Sequence, residues 1–130
     1  MLKIESLLNS FKDIGYKKYQ SYYCLGRAYL MLEDRYNAMI NFEKELQLGI
    51  GENGDNFFID QYEFCIEQLV NIYNDSDINK FRKLESYIFV IPNEMFNKDF
   101  FIKIVVRFLK VYSKKESIQF YERMNKKLYF

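Results

Sequence analysis

Side chains able to do covalent chemistry are scarce in this 130-residue chain, and the gaps bound its function first. There is no histidine. Its absence removes the usual general base at neutral pH, the commonest metal ligand and any Ser-His or Cys-His nucleophile. Cys24 and Cys65 fall on apolar helical faces and read as buried free thiols rather than as a disulfide or a metal pair; they suggest a reducing compartment. Glu63 and Glu67 stand one helical turn apart and could in principle hold a metal, but such a pair on a helix face is ordinarily solvated. Asp75 and Asp77 lack the glycine and the closing glutamate of a calcium loop. No glycine-rich phosphate loop follows a strand. The chain reads as no enzyme, with no cofactor and no metal.

The remaining polar residues are of the kind that hold a partner. Gln20, Tyr23, Arg27 and Met31 recur at helical spacing and share one face. Glu67, Asn71 and Asn74 do the same further on, in the later of two registers, and Asp99, Ile102, Val106 and Lys110 do so in a third stretch. A guanidinium can clasp a carboxylate through two parallel hydrogen bonds. An asparagine donates and accepts at once, as a peptide backbone requires. Taken singly each residue has an ordinary role, Tyr23 in packing and Asn71 in water, so only the clustering carries the functional reading.

The elements that must position these residues follow from composition and period. Hydrophobic residues make up 49% and charged residues 28%, as in a folded globular chain. A single proline and five glycines leave room for long helices with few turns. The net charge of +1 provides no broad basic surface for nucleic acid. The basic run near the end, Lys126 and Lys127 after Arg123, with Lys114 and Lys115 before it, reads as charge at the C-terminal end of a helix, which favours the dipole. No apolar stretch reaches the ~18 residues of a membrane span, and the N-terminus lacks a secretory h-region, so the expected location is the cytoplasm.

Leu2, Ile4, Leu7, Leu8, Phe11 and Ile14 predict a leading helix over 2–14. Helix pairs follow at about 17–48, 57–90 and 97–127, making one all-α domain of seven helices over 1–130. The glycine-rich run from Gly49 to Asn56 is the clearest loop. Asn74 to Asp77 breaks the middle pair, Pro92 ends it, and Asn93 or Asn97 caps the next helix. In the middle pair either Tyr62-Cys65-Ile66-Leu69 or Ile66-Leu69-Val70-Tyr73 can take the inner register.

The first pair carries the strongest pattern: Tyr22, Leu25, Gly26 and Tyr29, then Ala38 and Phe42. Glycine inside a helix costs about 1 kcal/mol relative to alanine, so Gly26 implies a close approach by the second helix. In the last pair Phe101, Ile104, Val105 and Phe108 repeat the pattern, with Ser117 in the place of Ala38 and Tyr121 in that of Phe42. This spacing resembles the tetratricopeptide repeat (TPR), whose helix hairpins stack into a right-handed superhelix. Leu84-Glu85-Ser86, Asp99-Phe100-Phe101-Ile102 and the run from Lys114 to Tyr121 resemble the last repeats of Rap-type peptide-pheromone receptors of Gram-positive bacteria. The effector part of those receptors is not expected here, because the repeats begin almost at once, so their phosphatase activity does not carry over. The Lys/Asn clamp of chaperone-binding TPR proteins is also missing, since Tyr23 and Arg27 hold its places.

What the resemblance implies is a module that binds a protein or an extended peptide, with Gln20, Tyr23, Arg27, Met31, Glu67, Asn71 and Asn74 lining a groove, and a regulatory role. The alternative is an assembly protein whose apolar ends (Ile4, Leu7, Leu8 and Phe11; Tyr121, Leu128, Tyr129 and Phe130) pair subunits into a homodimer.

Overall fold

The computed structural model describes residues 18–49 and 59–128. The expected leading helix 2–14, most of the glycine-rich loop, and Tyr129 with Phe130 lie outside the described residues. Within them are six α-helices, one 3-10 turn and no strand. They are α1 (Lys18–Met31), α2 (Arg35–Leu48), α3 (Ile59–Ile72), α4 (Ile78–Phe89), α5 (Lys98–Val111) and α6 (Lys114–Leu128), with the 3-10 turn Asn93–Met95 between α4 and α5. The chain divides into two units, 1–69 and 70–130.

In the first unit α1 packs on α2. The turn between them is fixed by the backbone. Glu33 takes a left-handed φ of 61°, Asp34 N–H donates to Tyr29 O at 2.9 Å, and Glu33 N–H donates to Leu30 O at 3.0 Å. These are the two crossed bonds of a Schellman motif, with glutamate where glycine is usual. Asp34 then caps α2: one carboxylate oxygen accepts from Asn37 N–H at 3.1 Å and the other from the Asn37 side chain at 2.7 Å. Those two bonds hold the Asp34 carboxyl below the usual carboxylate range. At the far end Gly49, at φ 82°, closes α2 by donating to Leu46 O.

The approach expected at Gly26 is present. A Cβ built there would lie 2.5 Å from one Phe42 ring carbon and 2.6 Å from the next. Phe42 and Ala38 are both fully buried, so the ring has no free volume to retreat into. Leu25, Tyr29 and Leu46 complete that interior. On α3, Tyr62, Cys65, Ile66, Leu69 and Val70 are buried, and so is Tyr73 just beyond it, so both of the expected registers lie inward.

The second unit is built on rings. Phe108 and Phe120 stack at 4.5 Å and 13°, Phe81 meets Phe108 edge-on at 5.2 Å, and Tyr73 meets Phe81 at 5.7 Å. Such offset and edge-on pairs add about 0.5–1.5 kcal/mol each beyond the area they bury. Asn97, not Asn93, caps α5, accepting from Phe100 N–H at 2.7 Å. Arg107 reaches back from α5 to satisfy two carbonyls at the end of α3, Val70 O and Tyr73 O, each at 2.8 Å, and pairs with Asp75. The last four carbonyls of a helix have no partner within it, which is why a donor is needed there.

The repeat pattern of the last pair needs a correction. Phe101, Ile104 and Phe108 are buried as expected, but Tyr121 is 50% exposed while Phe120 and Met124 are buried. The place of Phe42 is therefore taken by Phe120. Its flat stack on Phe108 turns α6 by about one residue relative to the first pair's pattern. Glu63, expected on a solvated face, is also buried, because it shares the inward stripe of Tyr62 and Ile66.

Candidate partner-binding surface

The expected contact residues fall in both units. Tyr23, Arg27 and Met31 occupy successive turns of α1 in the first unit, and Gln20 precedes them on α1 with its side chain outside the described residues. Arg27 is exposed, yet its guanidinium has a set place. It lies 5.5 Å from the Tyr23 ring centre and 5.6 Å from that of Phe64, and its Nη1 donates to the Tyr23 hydroxyl at 3.2 Å. The two rings meet edge-on at 5.5 Å and 79°. Phe64 in turn sets its edge to Phe42 at 6.0 Å, which ties the platform to the ring over Gly26. An exposed cation on two aromatic rings gains about 0.5–1 kcal/mol from their quadrupoles and gives up side-chain freedom before any partner arrives.

Behind the platform lies a buried acid. Glu45 is 2% exposed, and one of its oxygens accepts from the Tyr23 backbone N–H at 3.2 Å. Burial pushes this carboxyl up to about 8, with the Tyr23 amide drawing it only part of the way back. Glu45 thus keeps its proton at neutral pH and holds α2 against α1 without adding a charge near Arg27. The Cys65 thiol is raised well above its ordinary value, first by burial and then by Glu45 nearby. It is inert on that account. Both cysteines are free, and Cys24 is only half-buried.

Of the other expected residues, Glu67 is half-buried in the first unit. Met31 is 84% exposed, the most exposed large apolar side chain described. Asn71 and Asn74 are exposed and belong to the second unit, where Asn74 N–H donates to Asp77 Oδ2 at 3.0 Å. The structure brings Tyr23 and Arg27 into contact.

Two participants were not anticipated, although the sequence marks both. Phe64 stands three residues before Glu67, on the same helical face. Glu45 stands seven residues after Ala38, inside the stripe of Ala38, Phe42 and Leu46. A charged residue in an apolar register is a legible sign of a built environment.

A second surface lies on the last helix pair. Ile102 (54%), Val106 (55%) and Leu109 (42%) on α5, with Ile118 (51%) and Tyr121 (50%) on α6, are exposed apolar side chains. Leu109, Ile118 and Tyr121 line a shallow depression of about 280 Å³. No helix among the described residues is long and apolar enough to cross a membrane. In comparisons with known proteins, no family model, no curated protein and no solved structure matches this chain.

Proposed function

We propose that this chain is a non-enzymatic TPR-like binding module whose first helix pair takes a carboxylate-bearing peptide or protein segment, with Arg27 as the reading residue. The observation that carries this reading is the guanidinium set on Tyr23 and Phe64. Its one side-chain bond among the described residues goes to the Tyr23 hydroxyl, so most of its five donors remain available to a carboxylate. Met31, one turn further along α1, offers a flexible apolar contact for a neighbouring side chain of the ligand. The resemblance to peptide-pheromone receptors supports a regulatory role for such a module.

The test uses peptides selected by display on the intact protein, each compared with its C-terminally amidated form. Arg27→Ala weakens binding by roughly 1.5–3 kcal/mol, the worth of a charged hydrogen bond, mostly through faster dissociation. The fold stays intact, and the loss of stability does not exceed the ~0.5–1 kcal/mol of the cation on its two rings. Equal affinity of native and Arg27→Ala proteins would end this reading.

A second reading, assembly into a homodimer, has its own support in the α5 stripe. Asp99 and Lys110 stand at opposite ends of Ile102 and Val106, and neither has a partner among the described residues. A second copy laid antiparallel across this stripe sets Asp99 of each against Lys110 of the other and covers the apolar middle. Light scattering at high micromolar concentration should give a dimer, and Val106→Lys a monomer. A native monomer rejects this reading.

A further inference from the structure

The second unit holds a cavity of about 410 Å³ between α4 and α6, which shares Glu122 with the shallow depression beside Tyr121. Small-molecule sites run from roughly 300 to 1,000 Å³, so this one suits a ligand at the small end. Its walls carry three cations, Arg82, Arg123 and Lys126, and three carboxylates, Glu85, Glu116 and Glu122. The buried ring of Phe120 provides an apolar wall.

These charges are not equivalent. Arg82 and Glu116 are occupied with each other, the Arg82 Nε and Nη2 donating to Glu116 Oε2 at 3.1 and 2.9 Å. Both oxygens of buried Glu85 are taken, Oε1 by the Tyr112 hydroxyl at 2.7 Å and Oε2 by Arg123 Nη1 at 2.6 Å. That leaves the other edge of Arg123, with Lys126 and Glu122, as groups without a partner among the described residues. Arg123 is also held in place: its guanidinium carbon lies 3.6 Å from the centre of the Phe89 ring. A guanidinium pinned along one edge and stacked on a ring presents its second edge as a fixed fork. A carboxylate fits that fork in a bidentate way.

Lys126 follows Arg123 by three residues on the same helix face, so both cations address one anionic group. The unpartnered Glu122 lines the same cavity and calls for a cation. With the wall charges cancelling, a ligand carrying both signs gains from both sets, whereas a simple anion meets the carboxylates as well. We propose that this cavity binds a small zwitterion of the amino-acid or dipeptide class, its carboxylate on Arg123 and Lys126 and its ammonium on Glu122.

The experiment titrates the full chain with alanyl-alanine by calorimetry. Its N-acetylated and C-amidated forms and inorganic phosphate are run in parallel. The zwitterion should saturate the protein at millimolar concentration or below, and each blocked form should bind about tenfold more weakly. Lys126→Gln and Glu122→Gln should each cost about tenfold in affinity, the first sparing the amidated form and the second the acetylated one. Both positions are exposed and leave the Glu85–Arg123 pair intact, so loss of fold cannot imitate the result. No saturation by the dipeptide, equal binding of all three forms, binding of phosphate alone, or indifference to both substitutions would each overturn the proposal.

Discussion

In the first unit Glu45 is buried with a single amide N–H as its partner among the described residues, whereas in the second Glu85 is buried between a phenol and a guanidinium. Lys127, also buried, donates to Phe89 O at 3.2 Å, to Asn93 Oδ1 at 3.0 Å and to Ile91 O. The difference shows two answers to one cost. An ion taken out of water loses several kcal/mol of solvation, which must be met by partners or avoided by giving up the charge. Glu45 avoids it, retaining its proton up to a pH of about 8. Glu85 and Lys127 meet it with partners that join α4 to Tyr112 and α6 and fasten the turn after α4. The first helix pair should therefore be sensitive to pH, and the last to removal of a partner.

The largest effect should come from the packing that makes Glu45's burial possible. Gly26→Leu drives a branched side chain into the buried Phe42 ring, and overpacking of this size costs roughly 3 kcal/mol or more. That exceeds the ~1 kcal/mol gained in helix propensity. Thermal melting decides it, and an unchanged midpoint would refute the close approach of α1 and α2.

Next comes the partnered charge. Lys127→Met keeps much of the side-chain volume but orphans the Phe89 and Ile91 carbonyls, at about 2–3 kcal/mol in urea unfolding. The loss should be nearly the same at pH 5 and pH 8. A variant as stable as the native chain would show that these three bonds contribute nothing net.

The neutral acid should give an effect that depends on pH. With its pKa raised from 4.5 to about 8, native Glu45 binds more protons than the unfolded chain between those values. Its contribution is thus fully present below about 4.5, falls as pH rises, and is lost above about 8. Glu45→Gln can still accept from Tyr23 N–H but cannot ionise. It should stabilise the protein by a few kcal/mol at pH 9, have little effect at pH 4.5, and flatten the curve between. Parallel curves for variant and native chain would remove the contrast between the two units.

The smallest effect belongs to the turn that brings α1 back on α2. Glu33→Gly relieves a left-handed φ that a side chain disfavours, and should stabilise by about 0.5–1 kcal/mol. Denaturant midpoints measured on both proteins would check it, with a destabilised variant as the refuting result.

The sequence by itself determined the helices and their inward stripes, because both depend on local period and on cheap local signals. Ala38, Phe42 and Leu46, the inward positions of α3 with Tyr73 after it, and the stop at Pro92 could all be read without coordinates. So could the small residue at Gly26, since a costly glycine needs a reason. What the tertiary structure alone decided was which of several permitted faces met a neighbour. Tyr121 and Phe120 are adjacent rings, either of which could face inward, and the stack on Phe108 selected Phe120. Arg27 was legible as an exposed cation, but its platform needed Phe64 from a helix more than 30 residues away. Glu45 and Glu85 sat visibly in apolar registers, whereas Lys127, read as a charge favouring the helix dipole, is buried on three acceptors. Whether each became a neutral acid or a partnered charge depended on donors and acceptors brought up from other helices. Periodicity is a property of a segment, and the energy of a buried charge is a property of everything around it.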